Sequence, residues 1–330
     1  MKKRILTGDR PTGRLHLGHY VGSLVNRVRL QDEYDMYIMI ADVQALTDNF
    51  ETPEKVRSNV KELLLDYLSV GIDPERVTIF VQSLIPEIAE LTVFFSNLVT
   101  VAQLQRNPTV KQEIADKGHI FKNGNVTFGF LGYPVSQSAD ILFCKAELVP
   151  VGEDQLPMIE QAREIAKRFN RLYGEVFPEP EAMLGDVARL MGLDGRKMSK
   201  SFNNAIYLSD STEEVEKKIM AAKTDDKEGI TFDMKARPEI SNLIRYYQIA
   251  TGKEVEEIEK EFAGETSFKV FKEALAKALN EFLDPIRQKR DTFAKNEGLL
   301  DKVLRNGSAR AKEAAEDTMA EVRRAMKIDY

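Results

Sequence analysis

The sequence predicts an α/β protein in which a doubly wound parallel sheet is followed by a helical region. Two patterns lead there. Through the first half, short apolar runs alternate with amphipathic helical stretches, as they do when parallel strands are joined by helices. After Ser201 the chain turns to long stretches rich in Ala, Glu, Lys and Leu. Strands are expected at residues 4–7, 36–41, 77–81 and 147–151. Between the second and third, Thr52 is placed to cap a helix and Pro53 fits its first position. Val56, Val60, Leu63, Leu64 and Tyr67 then recur on one face, and Gly71 ends the helix. Residues 100–130 are more polar, with a break at Arg106-Asn107-Pro108 and a turn at Lys122-Asn123-Gly124-Asn125, and read as an excursion from the sheet. Further on, Ser211-Thr212-Glu213-Glu214 is a capping box, residues 229–232 read as a short strand, and 270–283 and 312–326 read as helices. The expected division is a Rossmann-like unit over residues 1–201 and a helical domain over 202–330.

Composition narrows the possible functions. Of 330 residues, 43% are hydrophobic and 30% charged, enough apolar material for one large or two ordinary domains. Lys and Arg number 47 against 53 Asp and Glu, a net charge of −6, so contact with nucleic acid must rely on a local patch rather than bulk charge. One cysteine, Cys144, rules out an internal disulfide and reads as a small buried hydrophobe. With only three histidines, a Cys-based structural zinc site is not expected. No apolar run approaches the ~18 residues of a membrane span, and Met1-Lys2-Lys3-Arg4 leads directly into the first strand rather than into a signal-peptide core. A cytoplasmic protein without a membrane partner is the expectation.

Two segments carry chemistry. The first runs from Thr7 to Ser23 and holds Gly8, Gly13, Gly18 and Gly22 between a strand and a helical stretch, a loop whose backbone can approach a ligand closely. A helix starting near His16 would offer free N–H groups and a positive dipole end to a phosphate. His16 and His19 lie three residues apart on the same side of that turn, placed to donate to a phosphate oxygen as charge builds during attack at phosphorus. A metal pair, or two solvated histidines, would also account for the spacing, with Asp9 the only carboxylate close by. The second segment reads Gly192-Leu193-Asp194-Gly195-Arg196-Lys197-Met198-Ser199-Lys200-Ser201-Phe202-Asn203-Asn204, a cationic stretch suited to covering a polyphosphate. Alone it would pass for a basic surface turn.

Together, His16-Leu17-Gly18-His19 and Lys197-Met198-Ser199-Lys200-Ser201 resemble the two signatures of class I aminoacyl-tRNA synthetases, and the resemblance extends over nearly the whole chain. It implies activation of an amino acid by ATP, with Mg2+ accompanying the nucleotide and no structural metal, followed by transfer to tRNA. It also implies that residues 1–201 are the catalytic domain and 202–330 an anticodon-binding domain. The length points to the small tryptophan/tyrosine branch, whose members are homodimers. Leu148-Val149-Pro150-Val151-Gly152-Glu153-Asp154-Gln155 is similar to the tryptophanyl enzymes, and Leu6 stands where tyrosyl enzymes place a Tyr. L-tryptophan and tRNA(Trp) are therefore the implied substrates. Tyrosine is the alternative, since Tyr133, Gln137 and Asp140 keep a spacing also found in tyrosyl enzymes.

The residue roles implied by the resemblance are as follows. His16, His19, Lys197 and Lys200 are catalytic, the histidines on the α-phosphate. Arg10, Pro11 and Thr12 line the ATP pocket, with Gly18 under the adenine and Leu190 packing on it. Lys197, Met198, Ser199, Lys200 and Ser201 form the ATP-binding signature, in which Lys197, Ser199 and Lys200 hold pyrophosphate, and Lys111 is a further candidate for the triphosphate. Gly152, Glu153 and Asp154 frame the ribose, Gln155 and Tyr133 reach the substrate ammonium, and Asp140 reads the indole nitrogen beside Leu6. As residues alone, a helix cap before Ile141-Leu142-Phe143 is the lesser alternative for Asp140. For tRNA, Arg287, Lys289, Arg290, Lys295, Lys302, Arg305, Arg310 and Lys312 cluster late in the chain, and Tyr246, Tyr247 and Phe293 could stack a base or pack in the core.

Overall fold

The computed structural model describes residues 2–116, 125–184, 190–198 and 202–330. The first strand, β1 (Arg4–Asp9), is followed by a continuous helical run: α1 (Leu17–His19), a π-type turn over Tyr20–Leu24, and α2 (Val25–Leu30). Then come β2 (Asp35–Ile40), α3 (Asp42–Asn49), α4 (Pro53–Val70) and β3 (Thr78–Val81). α5 (Glu87–Ser96) follows, and the described part of the polar stretch is largely helical, in α6 (Val101–Arg106), α7 (Pro108–Asp116) and the start of α8 (Phe128–Leu142). Asn107 makes the expected break between α6 and α7. The turn expected at Lys122–Gly124 lies outside the described residues. Next are β4 (Leu148–Val151), α9 (Leu156–Tyr173) and β5 (Glu181–Leu184), and the chain finishes as α10 (Thr212–Met220), α11 (Pro238–Thr251), α12 (Val255–Glu261), α13 (Phe268–Ala294) and α14 (Glu297–Ala325).

The five strands are parallel, in the order β3-β2-β1-β4-β5. Ile5, Met36, Ile38, Ile40 and Ile79 face one apolar layer, and Leu6, Tyr37, Met39 and Phe80 face the other. That burial on both faces is why the strands read as unbroken apolar runs. Because strand order reverses across β1, a crevice opens beyond the carboxyl ends of β1 and β4, where open α/β sheets bind ligands.

Four expectations are corrected. β5 had no strand-like signal. Residues 229–232 form no strand: the Phe232 N–H donates to Glu259, and the Arg237 guanidinium takes the carbonyls of Lys227, Glu228 and Gly229. Asp140 is not a helix cap but a buried residue inside α8. The capping box at Ser211 forms as read, with Ser211 Oγ accepting from the Glu214 N–H and the Ser211 N–H donating to the Glu214 carboxylate. Thr52 precedes α4, but its side chain makes no capping bond.

The last helix covers the outer strand. Gly307 of α14 lies so close to β3 that a Cβ there would sit 1.7 Å from the Ile79 carbonyl oxygen. Beside it, Ser308 Oγ accepts from the Val81 N–H at 3.3 Å, and Arg310 donates to the carbonyls of Pro74 and Val77. Among the described residues no helix is long and apolar enough to cross a membrane.

Candidate active site

A cavity of about 840 Å³ opens beyond the carboxyl ends of β1 and β4. Leu6, Arg10, Thr12, His19, Tyr133, Asp140, Gly152 and Gln155, eight of the expected site residues, line it. Pro11 is buried between two of these wall residues, while Glu153 and Asp154 are exposed on the short turn Glu153–Gln155 at its edge. Thr109 on α7 ties that turn to the excursion by donating to the Asp154 carbonyl at 3.0 Å. Lys111, on the same helix, is exposed.

The first signature is fixed from both sides. His16 has extended backbone and opens the helical run, and its ring lies 3.8 Å from that of His19. The His16 N–H points at His19 Nδ1, 3.3 Å away. Leu17 N–H donates to the Ile206 carbonyl and Leu208 N–H to the Leu15 carbonyl, so residues 15–17 pair antiparallel with 206–208. Gly18 faces the second signature closely. A Cβ at this position would come within 2.8 Å of Met198 Sδ and 3.0 Å of the His16 ring.

The second signature rides on a tight hairpin. Met191 pairs with Lys197, the Gly192 N–H donates to the Arg196 carbonyl, and Asn204 Nδ2 donates to Asp194 and to the Lys197 carbonyl. Lys197 is exposed and Leu190 is buried in the main core; neither lines the cavity. Ser199, Lys200 and Ser201 lie outside the described residues.

Deep in the cavity, Asp140 is buried and accepts from Gln82 Nε2 at 2.7 Å and from Gln44 Nε2 at 3.1 Å. Burial raises its carboxyl to about 7, against the opposing pull of these two amides. Asp9, at the end of β1, behaves oppositely. Burial disfavours its charge, yet the Arg27 guanidinium at 2.6 Å, the nearby His19 and a hydrogen bond from the Tyr67 hydroxyl hold it down to about 2. The Tyr133 hydroxyl is pushed up by burial and by the Glu113 carboxylate. One cavity thus holds a carboxyl group pulled well down, at Asp9, and another pushed well up, at Asp140 on its floor.

The family profile for tRNA synthetases class I (W and Y) matches residues 1–284. The chain belongs to this family. A tryptophan–tRNA ligase of Clostridium longisporum is 50% identical over 339 residues, covering 100% of this chain and 98% of its own. One from Streptococcus pneumoniae is 45% identical over 342 residues, covering 100% and 99%. The crystal structure of tryptophanyl-tRNA synthetase from Campylobacter jejuni, complexed with ADP and tryptophan, superposes with a TM-score of 0.87 at 30% identity, over 98% of this chain and 99% of that one. A tyrosyl-tRNA synthetase from Archaeoglobus fulgidus reaches 0.67 at 22% identity over 88% and 90%, which is a likeness of fold.

Several residues of this class I synthetase have structural parts that the sequence did not reveal. Asn242 of α11 makes paired bonds with the Met191 backbone, and the Tyr246 hydroxyl donates to the Met191 carbonyl, so α11 anchors the second signature. Tyr246 and Tyr247 are buried and Phe293 packs against the core, which leaves the core reading of all three in place of base stacking. Of the late cations, Arg290 is buried against Glu62 and Asp66, Arg287 bonds Asn280 and Thr212, and Arg310 bonds backbone carbonyls. Lys289, Lys295, Lys302, Arg305 and Lys312 are exposed. Cys144 is buried and its thiol is pushed up to about 12 by burial, which makes it a packing residue.

Proposed function

We propose that this synthetase joins L-tryptophan to the adenylyl group of ATP and passes the tryptophanyl group to the terminal ribose of tRNA(Trp), releasing AMP. The tryptophan carboxylate oxygen attacks the α-phosphorus, the bond to the bridging oxygen breaks, and pyrophosphate leaves with its electron pair. Two observations support the amino-acid choice: Asp140, an acceptor at the cavity floor with two amide donors, asks for a side chain that can donate, and Leu6 in the wall offers no hydrogen-bond partner to a phenol oxygen and suits an indole. An indole offers one N–H and a flat apolar body, and such a floor rejects phenylalanine because the carboxylate would lose its third donor.

His16 and His19 donate to the α-phosphate as charge accumulates, and the packed imidazoles are supported in that orientation by the seam with residues 206–208. Arg10, Pro11 and Thr12 line the nucleotide path, and Gly152, Glu153 and Asp154 frame the ribose; Gly18 and Leu190, read as adenine contacts, instead pack against Met198 and in the main core, so the geometry lends that reading no support. Gln155 and Tyr133 hold the tryptophan ammonium. Lys197, Ser199 and Lys200 follow the departing pyrophosphate, with Met198 and Ser201 completing the signature. Magnesium would enter with the nucleotide, held by its phosphate oxygens. The exposed lysines of α13 and α14 supply local charge for tRNA within the helical domain over 202–330. Leu84, Val93, Val101 and Phe128 expose large apolar side chains, Phe128 to 84%, of the kind a second copy would cover in a homodimer.

The test is amino-acid-dependent exchange of labelled pyrophosphate into ATP. Tryptophan should support it and tyrosine should not; exchange with tyrosine alone would overturn the assignment.

A further inference from the structure

The turn that presents His16 is held by more than its own loop. The Leu15 N–H donates to the Asp66 carboxylate at 2.7 Å, while the Leu15 carbonyl accepts from Leu208 at 3.0 Å. Leu15 is thus gripped at both backbone groups immediately before the first catalytic imidazole. Asp66 is fully buried on α4. Arg290 of α13 comes within 3.4 Å of the other Asp66 oxygen through Nε, and its Nη2 pairs with Glu62, one helical turn earlier on α4. Arg290 is itself buried, which sets it apart from the exposed lysines near it in sequence.

A buried ion pair is poor evidence for stability, since an apolar pair of similar volume often serves as well. Here an apolar residue at position 66 would leave the Leu15 N–H buried without its acceptor. The pair therefore does something that packing alone would not: it ties the start of the His16 turn to α4 and, through Arg290, to a helix from the far end of the chain. Catalysis by positioning is steep, a shift of about 1 Å costing on the order of a hundredfold in rate.

We propose that Asp66 and Arg290 form a positioning pair that sets the His16 turn for phosphate stabilisation and makes that setting depend on the docking of α13. The inference rests on the adenylate-forming reading above. Neither residue touches substrate; both act through Leu15.

The experiment compares Asp66→Asn, Arg290→Gln, Arg290→Lys and the double variant Asp66→Asn/Arg290→Gln in tryptophan-dependent pyrophosphate exchange, with thermal unfolding of each. Asp66→Asn and Arg290→Gln should each lower kcat by about tenfold or more while the KM for tryptophan stays within about twofold, because Asp140 stands on a different helix. Arg290→Lys should restore most of the rate. The double variant, which buries no unpaired charge, should fold even where Arg290→Gln does not, and should lose no more rate than Asp66→Asn alone. Unchanged kcat in the folded variants, or kcat and tryptophan KM changing together in step with melting temperature, would overturn the pair. Wild-type protein that exchanges pyrophosphate with no amino acid would instead refute the functional reading, so the two failures are distinct.

Discussion

Replacing Asp140 by asparagine should stabilise the fold in alkaline solution while weakening the choice of amino acid. The carboxyl has a value of about 7 in the folded protein against an ordinary 3.8, because burial disfavours its charge more than Gln44 and Gln82 favour it. The sign follows from proton uptake. Between those two values the folded state holds a proton that the unfolded chain has released, so wild-type stability is fullest below about 3.8 and declines as pH rises through about 7. At about 1.4 kcal/mol per unit, the full displacement corresponds to about 4 kcal/mol. Asparagine does not titrate and escapes that loss. It offers one acceptor oxygen where two amides now donate, and Gln82 cannot turn over without abandoning the Gln44 N–H it accepts. One mismatched bond costs about 1 kcal/mol. The variant should therefore gain about 3 kcal/mol over wild type at pH 8 and be equal or slightly weaker at pH 4. Urea unfolding at pH 4, 6 and 8 measures this directly, and the exchange assay at pH 8, above the value of about 7 for Asp140, should show a tryptophan KM raised by roughly tenfold, since a neutral acceptor is weaker than the carboxylate. Parallel stability curves for the two proteins, or a variant less stable at pH 8, would refute the reasoning.

Gly307→Ala should destabilise by about 2–4 kcal/mol despite the roughly 1 kcal/mol that alanine adds to a helix, because α14 must lift from β3 and abandon the Val81 N–H; equilibrium unfolding gives the sign. Tyr67→Phe removes a hydrogen bond to Asp9, whose stabilising charge is present above its ordinary 3.8 and lost as pH falls through about 2. The acid-unfolding midpoint, followed by circular dichroism, should move to higher pH. His16→Ala should slow adenylate formation by about a hundredfold with tryptophan affinity little changed, since the imidazole's partner carries its charge mainly in the transition state; single-turnover kinetics and ligand titration separate the two.

What could be read from the sequence follows the range of the interactions involved. β1, β2 and β3 were legible because burial on both faces leaves an apolar run, whereas β4, of which only Val149 is buried, was legible from the short run Leu148-Val149-Pro150-Val151. β5 was not, because Glu181 and Leu184 of this four-residue edge strand are exposed and no run forms. Residues 229–232 carried the right residue types, yet Glu259 and Arg237 satisfy their backbone from afar, which no local pattern reveals. In the site, His16 and His19 declare themselves by being neighbours in a Gly-rich loop. Asp66, Asn242, Gln44 and Gln82 act across 38 to 96 positions, and in the sequence each is one polar residue in an ordinary helix or turn. Arg290 looked like a tRNA-facing cation because its charge, and not its burial, is what a sequence displays.

The contact between α14 and β3 has a consequence for how the chain is made. Ile79 leaves the ribosome long before Gly307, and at about 5–20 residues per second the interval is roughly ten to fifty seconds. Throughout it the outer strand of the nascent sheet presents unpaired peptide groups, an open template for any other extended chain nearby. Factors that shield emerging polypeptides should therefore matter most for this protein during translation, and ribosome stalling within its final helix should yield aggregates rather than a shortened, working enzyme.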